Sequence, residues 1–152
     1  VDVAPAAIAL SAQTWSANDL PPERRSGHAR DVPEFLVEAR GAGRRWQLVV
    51  ADPPSFAPRE SSKEVALAAY AQLFAASMGV LEPGGLMLAA SCSSHVRMPD
   101  FEATLVEAAS KARRVVQVLE RWGAPADHPR LLAFPEGDYL KVVLARVFVD
   151  AR

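Results

Sequence analysis

The chain is expected to fold as an α/β protein with a Rossmann-like, three-layer sheet, and three observations predict it. Apolar runs of strand length alternate with longer stretches of helical periodicity. Two of those runs, Trp46–Ala51 and Leu86–Ser91, are close to continuously apolar, the pattern of strands covered on both faces. Polar residues with chemical potential, Asp2, Asp31, Asp52 and Ser91-Cys92-Ser93, stand where strands end, and open α/β sheets bind ligands beyond the carboxyl ends of their strands.

Taken in order, Val1–Val3 reads as the end of a strand cut from something longer. Pro5 favours a helix start, and Ala6–Trp15 carries apolar residues at helical spacing. Asn18–Gly27 is polar and proline-bearing, a surface loop. Gly27–Arg30 is a short strand leading to Asp31. Val32–Ala42 is a helix with Phe35, Leu36 and Ala39 facing inward, ended by Gly41 or Gly43. Trp46–Ala51 is a buried strand, and Pro53 and Pro54 stop its pairing. Arg59–Ser62 is a charged loop. Lys63–Val80 is an alanine-rich helix closed by Glu82-Pro83-Gly84-Gly85. Leu86–Ser91 is a strand, Met98–Ala112 an amphipathic helix, and Val115–Trp122 a strand. Gly123–Glu136 is a long loop, and Tyr139–Val149 is the last strand. The last two strands lack a helix between them and are expected to pair antiparallel at one edge.

With 152 residues, half of them hydrophobic, and a mean hydropathy of +0.04, the chain can build one globular core. A net charge of −1 excludes a global basic field, so attraction to RNA must be local or come from another domain. The single cysteine, Cys92, excludes an internal disulfide and fits a reducing, cytoplasmic setting. No apolar run spans a bilayer, no signal peptide is visible, and no metal site is expected.

Asp52-Pro53-Pro54-Ser55-Phe56 combines an acid, carbonyls exposed by two prolines and an aromatic face. That set suits a planar base with an amino group, such as cytosine or adenine. The plainer alternative is a strand end with a proline turn. Cys92 lies at the end of a strand expected to neighbour the one ending at Asp52. Cytosine C5 is a poor nucleophile, but attack of a thiolate on C6 turns C5 into an enamine carbon able to take a methyl group. A carboxyl holding N3 or the amino group helps drain charge from that adduct, a role open to Asp52. A buried small apolar side chain is the other reading of Cys92. Asp2 is placed to bond ribose hydroxyls, Asp31 an adenine amino group and the Val32 N–H the ring, although acids at strand ends also cap helices.

This order of residues, with Leu81-Glu82-Pro83-Gly84-Gly85 and the tail Ala126-Asp127-His128-Pro129 and Pro135-Glu136-Gly137-Asp138-Tyr139-Leu140-Lys141, resembles the later part of a class I S-adenosylmethionine-dependent methyltransferase. It is most similar to the bacterial large-subunit ribosomal RNA cytosine-C5 methyltransferases that carry an N-terminal PUA domain. The resemblance implies S-adenosylmethionine as cofactor, held by Asp2, Asp31, Val32, Asp52 and Pro53. It implies Cys92 and Asp52 as catalytic residues, Pro53, Pro54 and Phe56 as substrate contacts, and ribosomal RNA as partner. Tyr70 would line the entry or belong to the core. His128 would be functional or structural, and Lys141 would touch a phosphate or be a solvated strand lysine.

The chain lacks the family's glycine-rich loop and the strand before it, so residues 1–152 are expected to be a partial catalytic domain whose sheet halves do not pair as in the family. Residues 1–152 are not expected to include the PUA domain. Open edges allow a homodimer, and the isolated chain is expected to be inactive and to bind cofactor weakly. Ser55 stands where two-cysteine RNA cytosine methyltransferases have a second thiol. Two other functions fit the same residues: an amino-group methyltransferase acting on adenine N6, guanine N2 or a protein glutamine through Asp52–Phe56, and a non-catalytic truncated α/β module.

Overall fold

A computed structural model describes residues 1–57, 59–134 and 137–151. The tail residues Pro135 and Glu136, part of the motif and loop above, lie outside them. The chain divides into two compact units, Val1–Gly43 and Arg44–Arg152.

In the first unit, two short extended stretches lie side by side in parallel. Their single bridge joins Asp2 to Ala29, with Asp2 N–H donating to His28 O (3.1 Å) and Arg30 N–H to Asp2 O (2.9 Å). The strand expected over Gly27–Arg30 is thus reduced to one bridge. Helix α1 (Pro5–Ala17) follows, then helix α2 (Val32–Gly41). Pro33 sits in the first turn of α2, where its missing N–H is harmless. Phe35, Leu36 and Ala39 are buried as their spacing predicts, and the His28 ring meets Phe35 at 4.9 Å. Helix α1 buries no residue; Trp15 is half-buried and its Nε1–H donates to Pro21 O at 2.9 Å.

The second unit is a four-stranded sheet under two helices. Its elements are β1 (Trp46–Ala51), α3 (Lys63–Gly79), β2 (Leu81–Ser91), α4 (Met98–Ala112), β3 (Arg114–Trp122) and β4 (Lys141–Val149). The strand order is β1-β2-β4-β3: β1 and β2 run parallel, and β4 is antiparallel to both β2 and β3. The expected antiparallel pairing of the last two strands is therefore present, with β3 at the edge. The strand expected over Leu86–Ser91 begins earlier, at Leu81, so Glu82–Gly85, expected to close the helix, is an irregularity inside β2. Leu81 pairs with Trp46, and the ladder resumes at Leu86 opposite Leu48. Gly84 takes a φ of +79°, which favours glycine, and a Cβ on Gly85 would make a tight 3.0 Å contact with Glu82 O.

Strand alternation sorts the core. Met87 and Ala89 on β2 and Val143, Ala145 and Val147 on β4 face α3 and α4. The helices contribute Tyr70, Phe74, Phe101 and Leu105. Phe74 meets Phe101 edge-on at 5.5 Å and stacks on Tyr70 at 5.7 Å, geometries aromatic quadrupoles favour. The expectation that Trp46–Ala51 is buried on both faces is corrected: Leu48 is 51% and Val50 60% exposed. β1 is an edge strand of this sheet, and only its Val49 and Ala51 side packs on the core.

Helix α4 begins with Asp100 Oδ2 accepting Arg97 N–H (3.1 Å) and pairing with Lys63 Nζ (2.8 Å) at the start of α3. The Lys63 ammonium holds the Asp100 carboxyl below its ordinary range, against the opposing effect of partial burial.

Candidate active site

The parallel register of β1 and β2 brings two loops to the same rim. Ala51 lies opposite Ala89, so Asp52 follows β1 level with Ala90, and Cys92 follows Ser91 two residues further along β2. Strand spacing and rise put the two Cα atoms roughly 8 Å apart. Asp52 and Cys92 are the first residues beyond the ends of β1 and β2. Asp52 is exposed, and Cys92 is a free thiol of intermediate exposure rather than a packed core residue.

Ser93 locks the two loops together. Its hydroxyl is 3.1 Å from Ser55 Oγ and accepts Ala57 N–H at 3.3 Å. It also meets the hydroxyl of Tyr70 at 2.8 Å. Ser91 Oγ donates to the same Tyr70 oxygen (3.0 Å) and accepts Ser93 N–H (3.3 Å). Ser91, Ser93 and Tyr70 are all buried, and among the described residues every buried side-chain polar atom has a partner. A second tie joins His95 Nδ1 to Glu60 Oε2 at 3.0 Å.

Tyr70→Phe removes the oxygen that links two buried serines. The expected result is a loss of about 1–3 kcal/mol of stability in urea unfolding with an unchanged slope. A loss near zero would show that the network carries no weight.

The other predicted residues divide clearly. Pro53 is buried and Pro54 exposed. Phe56 is half-buried, with its ring 4.8 Å from Tyr70. Tyr70 itself is fully buried, so the core reading holds and entry lining is corrected. In the first unit the parallel bridge sets Asp2 and Asp31 at neighbouring strand ends, both exposed. Asp2 Oδ1 accepts Ala4 N–H (2.7 Å), and Asp31 Oδ1 accepts Glu34 N–H (2.9 Å) as the cap of α2. Val32 opens that helix, half-buried. His128 is exposed on its loop, 3.2 Å from Asp127. Among the described residues no group of three or more His, Cys, Asp or Glu is placed to hold a metal, and no helix is long and apolar enough to cross a membrane.

Lys141 departs from both sequence readings. It is neither solvated nor free for a phosphate: the residue is only 3% exposed, and its Nζ donates to the carbonyls of Ser93 and Tyr139. Burial pushes its pKa down to about 8, while Cys92, Asp138 and Asp100 act in the opposite direction. The signal was present in the sequence, since Lys141 shares the inward parity of Val143, Ala145 and Val147.

A depressed lysine makes stability depend on pH in a definite sense. Below about pH 8 folded and unfolded chains both carry the charge, and its burial opposes folding in full. Between there and 10.5 the unfolded chain holds the extra proton, so stability rises with pH. The undiscounted gap is worth about 3 kcal/mol, and solvent screening reduces it to about 1–2 kcal/mol. The difference in unfolding free energy between the wild type and Lys141→Met is expected to change by that amount from pH 7.5 to 10.5. A constant difference contradicts it.

The strand order and helices define the fold of a class I S-adenosylmethionine-dependent methyltransferase. The crystal structure of SMU.776 complexed with SAH matches with a TM-score of 0.76 at 23% identity, covering 95% of this chain and 37% of that one. In sequence, the chain is similar to curated proteins named ribosomal RNA large subunit methyltransferase I. That of Shewanella frigidimarina is 35% identical over 148 residues, 97% of this chain and 37% of the relative. That of Photobacterium profundum is 38% identical over 141 residues, 93% of this chain and 36% of the relative. The chain therefore spans little more than a third of the length of these relatives. No protein-family model matches it.

Proposed function

We propose that the intact protein transfers a methyl group from S-adenosylmethionine to C5 of a cytosine in large-subunit ribosomal RNA, with Cys92 as nucleophile. The observation that carries this reading is the shared rim of β1 and β2, where a partly exposed thiol and an exposed carboxyl follow the ends of adjacent parallel strands. Similarity to relatives named for ribosomal RNA methylation supports the substrate class.

Each residue has a task. The Cys92 thiolate adds to C6, and the electron pair of the C5–C6 π bond moves to C5. Asp52 accepts from the amino edge of the base and so holds C6 in line with the sulfur. Pro53 and Pro54 present the base with backbone carbonyls and cannot donate an N–H. Phe56 steadies that loop through Tyr70. When bound, S-adenosylmethionine supplies an electrophilic methyl group. Asp2 and Asp31 fit the cofactor, because two exposed carboxylates at adjacent parallel strand ends match ribose hydroxyls and an adenine amino group. Once C5 carries the methyl group its proton passes to water, the C5–H electron pair re-forms the C5–C6 double bond, and the C6–S bond breaks to release the Cys92 thiolate. Ser55, hydrogen-bonded to Ser93, does not supply a second thiol for that release.

The test is the product. RNA methylated by the intact protein, digested to nucleosides and read by mass spectrometry, is expected to contain 5-methylcytidine. N6-methyladenosine or N2-methylguanosine would overturn the C5 assignment and favour direct capture of an exocyclic amine by Asp52 and Pro53.

A further inference from the structure

We infer that Ser55 and Ser93 are positioning residues: a directed chain of hydroxyl hydrogen bonds, from Ser91 to Tyr70 to Ser93 to Ser55, sets the loop that carries Asp52 against the loop that carries Cys92. The inference deepens the proposed reaction and rests on that reading of Asp52 and Cys92.

The direction of the chain follows from counting protons. A hydroxyl has one proton to donate and two lone pairs with which to accept. Ser91 donates its proton to the Tyr70 oxygen at 3.0 Å. The phenol proton of Tyr70 is then left for Ser93 Oγ, 2.8 Å away. Ser93 Oγ also accepts Ala57 N–H at 3.3 Å, so both of its lone pairs are engaged. Its own proton goes to Ser55 Oγ at 3.1 Å. Each link polarises the next, which strengthens such a chain in a buried site. Ser91, Tyr70 and Ser93 are all buried.

The chain reaches both reacting residues. Cys92 lies between Ser91 and Ser93, and Ser93 N–H donates back to Ser91 Oγ at 3.3 Å. The Ser93 carbonyl accepts from Lys141 Nζ, so the residue after Cys92 is held at its amide, its hydroxyl and its carbonyl. On the other loop, Ser55 follows Asp52 across Pro53 and Pro54, whose rings limit the freedom of the intervening chain. A slip of one loop past the other would break the links to Ser93. A misplacement of about 1 Å between reacting groups can cost about 10²-fold in rate. With its proton and both lone pairs engaged, the Ser93 hydroxyl acts through its neighbours and not on the substrate.

The experiment measures methyl transfer by the intact protein and its variants at saturating S-adenosylmethionine over a range of RNA concentrations. Ser55 is exposed, so Ser55→Ala removes the last link at a site that tolerates substitution. It is expected to lower kcat about three- to tenfold, the scale of one hydrogen bond, with KM for RNA within about twofold of wild type. Ser55→Thr, which keeps the hydroxyl, is expected to restore kcat to within about twofold. Ser93→Ala is expected to lower kcat about 10²-fold. The double variant Ser55→Ala/Ser93→Ala should be no slower than Ser93→Ala, because the two residues act through one bond. Wild-type kcat in Ser55→Ala overturns the inference. So does a rise in KM alone, which would mean that Ser55 touches RNA, or a double variant whose loss is the product of the two single losses. If Ser93→Ala does not fold, the alanine and threonine variants of Ser55 decide the matter alone. These failures leave the methyl-transfer proposal standing, because that proposal is judged by the nucleoside formed and this one by rate ratios.

Discussion

Cys92→Ser is expected to lower methyl transfer by the intact protein about 10³-fold or more while leaving RNA affinity within about twofold. Serine preserves shape and hydrogen bonding, but an alcohol at neutral pH is a far poorer nucleophile than a thiolate. The substitution is sterically mild at this half-exposed position, so stability should change little. The pairing of outcomes matters. Lost turnover with retained binding places the defect in the chemical step, whereas near-normal turnover would mean that no bond to Cys92 forms.

The second large effect falls on Asp52. Asp52→Ala is expected to reduce turnover by about 10²-fold, the scale for misplacing the reacting base by about 1 Å. Most of the loss should appear in kcat, because a misaligned ring still binds but C6 no longer lies in line with the sulfur. Asp52 is exposed beyond the end of β1, so the thermal midpoint should stay within a few degrees of wild type. A rise in KM with an unchanged kcat would assign Asp52 to base binding alone.

Much of this arrangement was legible in the residues. The alternation of strands and helices, the inward set Phe35, Leu36 and Ala39 and the limits of α4 all follow from periodicity, because tertiary packing agrees with local preference there. The two loops at the rim were visible as polar residues after apolar runs. β1 was misread because a continuous apolar run looks the same whether one face or two is covered; Leu48 and Val50 are apolar yet exposed. Gly27–Arg30 forms only one bridge, which no period of two over four residues can foretell.

The role of Lys141 was hidden for a different reason. Its neighbours Tyr139 and Leu140 read as the start of a strand, but the strand begins at Lys141 itself. Its inward parity could be read along the strand, but its contact with the Ser93 carbonyl depends on pairing with Ser91, fifty residues away in sequence, which the register of β2 and β4 decides. The same holds for Ser93, whose three-way contact with Ser55, Ala57 and Tyr70 joins segments that composition leaves unconnected.

The account's central claim is a covalent bond between Cys92 and a cytosine ring. RNA substrate carrying 5-fluorocytidine at the target position blocks loss of the C5 substituent and so traps the adduct. Incubated with the intact protein and S-adenosylmethionine, then digested with protease and nuclease, it should yield the peptide containing Cys92 with a methylated fluorocytidine attached. Methylated RNA without that conjugate, or a conjugate on any other residue, would contradict the claim.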